Sequence, residues 1–122
     1  MSAEFRTAVV SVFVHKPLEI DEPEWCAGHA DDRAQYKVDL SHDGPEITVA
    51  PGGREVFRAF LTQAPYSNID RRIGLYVELA ELTATYTPDE VEQLADDLVQ
   101  AAARLRALGR ELAATIAREG DE

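Results

Sequence analysis

Trp25-Cys26-Ala27-Gly28-His29 holds the only cysteine and the only tryptophan of a 122-residue chain, and a second histidine, His42, follows it. Cys26 and His29 form a C-x-x-H pair. A two-residue spacer lets a thiolate and an imidazole on one loop converge on a single ion. His42 would close on the pair if the chain between them leaves the loop and doubles back. A fourth donor is needed. Asp39 is the oxygen donor expected here, with Asp31, Asp32 and His15 as alternatives. Sulfur and imidazole are soft donors, so the set suits zinc better than calcium or magnesium. Trp25 would shield one side of such a site.

Other roles for the same residues are weighed beside this one. A lone cysteine is commonly a small buried hydrophobe. A lone histidine on a loop is commonly solvated, and a tryptophan commonly anchors a core through a bonded indole N–H. A nucleophilic Cys26 would need a lowered thiol pKa. Glu22, Glu24, Asp31 and Asp32 surround it in sequence, and negative charge raises that pKa. No glycine-rich phosphate loop occurs, and Pro51-Gly52-Gly53-Arg54 reads as a hairpin turn. Asp70-Arg71-Arg72 reads as a solvated loop.

The elements that must position these residues follow from pattern. One domain over 1–122 is expected from the length. It would have a β-rich part over 6–82 and a long helix over 87–119. β-Branched residues mark a strand over 6–14. An acidic connection, EIDEPE, follows. Residues 25–32 form a loop. QYKVDL, 35–40, alternates like a strand, and Asp43-Gly44-Pro45 signals a turn. Further strands are expected over 46–49, 56–61 and 73–82. Thr87-Pro88-Asp89-Glu90 reads as a capping box opening a helix that Gly120 ends. Acids gather early in it and bases late, complementing the helix dipole. The fold class expected is α+β: an antiparallel meander of about five strands, then one long helix packed on the sheet.

Formal net charge is −11, with 23 acidic and 12 basic residues. That field repels phosphate backbones, so no nucleic-acid partner is expected. One cysteine gives no disulfide framework. The apolar run TAVVSVFV is too short to span a bilayer. A cytoplasmic protein with no membrane partner is the expectation.

The long helix carries two apolar seams. Val91, Leu98, Leu105 and Leu112 repeat every seven residues, and so do Leu94, Ala101, Leu108 and Thr115. Strands of six or seven residues span about 20–23 Å, about half of such a helix. Val91, Leu94 and Leu98 are expected on the sheet. Leu105, Leu108, Leu112 and Ile116 would then be left to form a homodimer with antiparallel C-terminal halves. The alternative is a break near Gly109 that folds the helix back over the sheet.

Trp25-Cys26-Ala27-Gly28-His29, followed by Tyr36-x-x-Asp39-Leu40-Ser41-His42-x-Gly44-Pro45, resembles a family of small actinobacterial (Streptomyces-type) proteins classed as a domain of unknown function. Gln63-Ala64-Pro65-Tyr66, Leu75–Leu79 and the closing helix look similar too. The resemblance supports grouping Cys26, His29 and His42 and implies no reaction. The expected role is a small accessory or regulatory module, stabilised by zinc and binding protein. The alternatives are a metal-dependent hydrolase using the same site, and an acidic decoy for a DNA-binding protein.

Overall fold

The computed structural model describes residues 6–12, 16–29 and 35–120. The architecture is α+β: antiparallel strands followed by one long helix. The strands are β1 (Arg6–Val12), β2 (Lys16–Glu22), β3 (His42–Asp43), β4 (Ile47–Val49), β5 (Phe57–Gln63) and β6 (Gly74–Leu79), and the helix is α1 (Pro88–Gly120). They form a two-stranded sheet, β1–β2, and a four-stranded one in which β3, β4 and β6 all pair with β5.

The chain divides into two compact units. The first unit takes in β1, β2, β3 and the stretch Leu61–Gly74; the second takes Glu46–Phe60 and everything from Leu75 onward.

In the first unit β1 and β2 pair along their whole length, from Arg6↔Glu22 to Val12↔Lys16. The sequence reading passed over β2 because its acids suggested a loop. Its alternation is nevertheless clear: Ile20 is buried while Glu19 and Asp21 face water, the period-two pattern of a half-buried strand. Val10, Val12, Ile20 and Leu40 form this unit's apolar cluster. The strand expected over 35–40 is instead a 3-10 turn at Lys37–Asp39. Asp39 N–H donates to the Tyr36 carbonyl and Leu40 N–H to that of Lys37. Beyond one isolated bridge at Gln35 this segment has no paired strand among the described residues. Tyr36 and Val38 stay exposed while Leu40 alone is buried. Asp43, read as part of a turn, belongs to β3, where His42 pairs with Gln63 and Asp43 with Thr62.

β3 pairs with the Thr62–Gln63 end of β5 in the first unit, and β4 with its Phe57–Ala59 end in the second.

In the second unit α1 packs on the sheet. Ala101 and Leu108 join Val49, Val56, Phe57 and Ala59 in the core. The helix runs unbroken through Gly109, so it does not fold back there. Its buried seam differs from the expected one. Val91 and Leu98 remain 49% and 43% exposed, whereas Leu108, assigned to a dimer strip, is 2% exposed inside the core. Small Ala101 sits mid-seam, where it permits close helix–sheet approach. Asp97 is buried on the same side, held by Arg54 Nε at 3.6 Å and Gln93 Nε2 at 2.9 Å. Gly52, at φ 63°, lets the Pro51–Gly53 turn meet it, since a Cβ there would lie 3.0 Å from Asp97 Oδ1.

The capping box forms as expected. Thr87 N–H donates to Glu90 Oε1 at 2.9 Å, and Glu90 N–H to Thr87 Oγ1 at 3.3 Å. These bonds hold the Glu90 carboxyl below the usual glutamate range, chiefly through the Thr87 backbone N–H. A depressed folded-state pKa stabilises the fold above the ordinary carboxylate range, and that contribution is lost as pH falls through the folded value. Replacing Thr87 by Ala should cost about 1 kcal/mol in chemical denaturation. In an NMR titration that variant should keep most of the Glu90 shift, because the backbone N–H at position 87 remains. A wild-type Glu90 that titrates like a free glutamate would show that the box does not form.

Candidate metal centre

The loop after β2 is shaped by its own backbone bonds. Cys26 N–H donates to the Pro23 carbonyl at 3.1 Å, making a turn. Ala27 N–H donates to the Asp43 carbonyl at 2.8 Å and so ties the loop beside His42 on β3. Gly28 has φ 103°, a left-handed conformation that glycine adopts without penalty, and its N–H points to Cys26 Sγ at 3.4 Å. The chain reverses there and brings His29 back toward Cys26. Arg6, at the start of β1, clamps the loop: Nη2 donates to the Cys26 carbonyl at 2.6 Å and to that of Pro23 at 3.0 Å. Gly44 lies against the same loop, and a Cβ there would stand 3.2 Å from the Trp25 carbonyl oxygen.

These constraints bring Cys26, His29 and His42 together. One ligand atom from each lies within 4.8 Å of the others, and they could hold a metal ion. Cys26 Sγ and His29 Nε2 are 3.8 Å apart. The His29 and His42 ring centroids are 5.5 Å apart, and Trp25 meets His42 edge-on at 6.3 Å. Cys26 is buried and His42 is 3% exposed. Trp25 is half-buried, covering one side of the group rather than filling a core.

Burial favours the neutral forms of both Cys26 and His42. Burial, with a smaller push from the Glu22 carboxylate, raises the Cys26 thiol above its ordinary value, against the opposing N–H of Gly28. A buried, raised thiol is a poor nucleophile. Burial also lowers His42, aided by the neighbouring His29, and so favours the neutral imidazole that binds metal. Three buried polar atoms here have no hydrogen-bond partner: Glu22 Oε1, Trp25 Nε1 and His42 Nδ1. Buried polar groups are normally satisfied, and an orphan costs about 1–3 kcal/mol. Among the described residues, Glu22 Oε1 and His42 Nδ1 are thus left open beside the cluster, whereas the Trp25 N–H can only donate and could not bind a cation.

Of the other expected donors, Asp39 is exposed on its 3-10 turn and is not in this group. His15, Asp31 and Asp32 lie outside the described residues. Sequence reading missed Glu22. Its Oε1 lies 3.6 Å from His29 Nε2, and its Oε2 lies 3.1 Å from Arg6 Nε. The signal was the alternation of β2: Glu22 falls on the inward face two residues after buried Ile20. The Asp70–Arg72 loop is a local ion pair at 2.9 Å. Arg72 holds the Asp70 carboxyl down to about 2, which leaves little charge there for an anion.

Fold and site together define a small α+β protein with a buried Cys/His cluster and no helix, among the described residues, long and apolar enough to cross a membrane. The chain belongs to the family described as domain of unknown function DUF6907, whose profile matches residues 7–114. No curated protein and no solved structure matches it.

Thiol chemistry tests this geometry. Native Cys26 should react with a thiol reagent far more slowly than the same residue in denaturant, because it is buried and its thiol is protonated. Equal rates in the two states would contradict the burial.

Proposed function

We propose that the protein is a zinc-stabilised interaction module of the cytoplasm, acting as a homodimer rather than as an enzyme. The observation that carries the metal reading is the buried Cys26–His29–His42 group with unpartnered polar atoms around it. Zinc is favoured because one thiolate and two imidazoles are its preferred donors. Purified protein should carry about one zinc per chain. At a zinc concentration a hundredfold above Kd, stabilisation over the stripped protein should be about 2.7 kcal/mol. Cys26→Ser and His42→Ala should lose the metal, while Asp39→Asn, altering an exposed residue, should retain it. Stripped protein whose melting temperature does not respond to zinc would sink the metal reading.

The dimer reading rests on an exposed flank of α1, beside the face packed on the sheet. Val91, Ala95, Leu98, Ala102, Leu105, Gly109, Leu112 and Ile116 alternate at spacings of four and three. That is the repeat of a helix–helix seam. Apart from half-buried Leu112, all are exposed. Over its first six positions large and small residues alternate. In an antiparallel pair centred near residue 100, Val91 falls opposite the partner's Gly109. Leu98 falls opposite the partner's Ala102, and Ala95 opposite the partner's Leu105. Parallel pairing would set large against large. Charge agrees with this choice. Glu92 flanks one end of the seam and Arg106 and Arg110 the other, so only the antiparallel arrangement sets opposite signs together. Leu105, Leu112 and Ile116 keep the interface role expected of them, while Leu108 serves the core.

Light scattering should give twice the 13.5 kDa chain mass. Leu98→Asp should yield a folded monomer. Glu92→Arg should weaken the dimer, and adding Arg106→Glu and Arg110→Glu should restore it. A wild type that stays monomeric at high concentration would refute self-association.

A further inference from the structure

We propose that Glu22 is the fourth protein donor of the metal centre and that Arg6 is its positioning residue, so that the centre is closed. The inference rests on the metal reading above and assigns the position that reading leaves open.

Glu22 is the last residue of β2, and its side chain is 8% exposed. Its two carboxylate oxygens have different fates. Oε2 accepts from Arg6 Nε at 3.1 Å. Oε1 is buried without a hydrogen-bond partner and stands 3.6 Å from His29 Nε2. A hydrogen bond between these atoms would be about 2.7–3.2 Å. Oxygen and nitrogen donors sharing one tetrahedral zinc, with bonds of about 2.0–2.2 Å, stand about 3.3–3.5 Å apart. The Oε1–Nε2 separation is closer to an edge of such a tetrahedron than to a direct bond. Glu22 lies outside the group whose ligand atoms are all within 4.8 Å of one another, so its carboxylate would have to swing further inward to complete the set. The Sγ–Nε2 separation of 3.8 Å is a few tenths longer than an edge.

Charge gives an independent reason. A Cys26 thiolate and a Glu22 carboxylate supply two negative charges, and two neutral imidazoles supply none. Together they neutralise a divalent cation in a buried place, where net charge is costly. The three residues Cys26, His29 and His42 alone would leave one positive charge over.

Arg6 supplies the support that metal sites place around their ligands. One guanidinium bonds Glu22 Oε2, the Cys26 carbonyl and the Pro23 carbonyl. It fixes the carboxylate relative to the loop that bears the thiol and leaves Oε1 turned inward. Four protein donors leave no place for a metal-bound water, which separates a structural centre from a hydrolytic one.

Cobalt(II) substitution reads this directly. In wild-type protein loaded with cobalt(II), the visible bands should be those of a tetrahedral ion and should not move on adding azide. Glu22→Ala should bind more weakly, and its bands should shift with azide, because a position has opened. Glu22→Gln, which keeps the shape, should also lose zinc affinity, and by more than Arg6→Ala. Arg6→Ala should lose about 10–100-fold while its bands stay insensitive to azide. Circular dichroism of each variant reports that the fold persists. If wild-type bands move with azide, or if Glu22→Gln holds zinc as tightly as wild type, the role of Glu22 is overturned and the three-residue reading survives. A wild type that takes up neither zinc nor cobalt overturns both.

Discussion

Buried polar atoms must find partners, and the first unit of this protein holds a place where three of them find none among the described residues. Glu22 Oε1, Trp25 Nε1 and His42 Nδ1 are all buried and unpaired, next to the Cys26 thiol. The surrounding backbone is by contrast well bonded. The Ala27–Asp43 bond, the Pro23–Cys26 turn and the Arg6 contacts to two carbonyls each fix one side of the group. A loop that merely lacked order would not be tied at so many points while leaving its side-chain heads unsatisfied. The backbone ties gather the scarce side chains so that one ligand atom each of Cys26, His29 and His42 lies within 4.8 Å of the others.

The second unit meets a comparable problem and solves it differently. Asp97 is a fully buried carboxylate, which would be costly alone. Here the chain supplies Arg54 and Gln93 to its two oxygens, and Gly52 clears room for the turn that faces it. The buried charge is balanced by protein groups, and nothing further is called for. At the Cys26 centre Arg6 bonds Glu22 Oε2, and Oε1 has, among the described residues, only the His29 imidazole 3.6 Å away where Asp97 has a guanidinium. The comparison shows that this chain can satisfy a buried acid when a structural anchor is all that is needed. The inward oxygen of Glu22 is thus a feature to be explained rather than a tolerance of the fold.

Much of this was legible in the sequence. The α+β class, the capping box at Thr87 and Glu90, and the meeting of Cys26, His29 and His42 follow from pattern and spacing. The misreadings have physical causes. β2 was hidden because its outward acids resemble a loop, although Leu18, Ile20 and Glu22 share one face. Gln35–Leu40 alternates like a strand, but alternation builds a strand only where a neighbour offers a ladder. The helix has two seams of similar apolarity, and periodicity cannot say which one a sheet will take. Burial of Ala101 and Leu108 settles that choice. Glu22 was missed as a site residue for the same reason as β2: its strand was not seen, so its inward direction was not either.

The sizes of the two cores bear on why a metal would be useful where it is proposed. The second unit buries Val49, Val56, Phe57, Ala59, Ala101 and Leu108, with a 33-residue helix laid over them. Among the described residues the buried cluster of the first unit is Val10, Val12, Ile20 and Leu40, with Ala8, Leu18 and Tyr66 packed against it. Aliphatic side chains of this size give modest hydrophobic stabilisation to set against the entropy of ordering the loop from Pro23 to His29. Small units of this kind commonly rely on a cross-link or a metal. A single cysteine forbids an internal disulfide. An ion held by donors from the end of β2, the loop and β3 would join the three segments that the apolar cluster alone holds weakly. On that view the centre is placed where the core is thinnest, and its chemistry is that of a fastener.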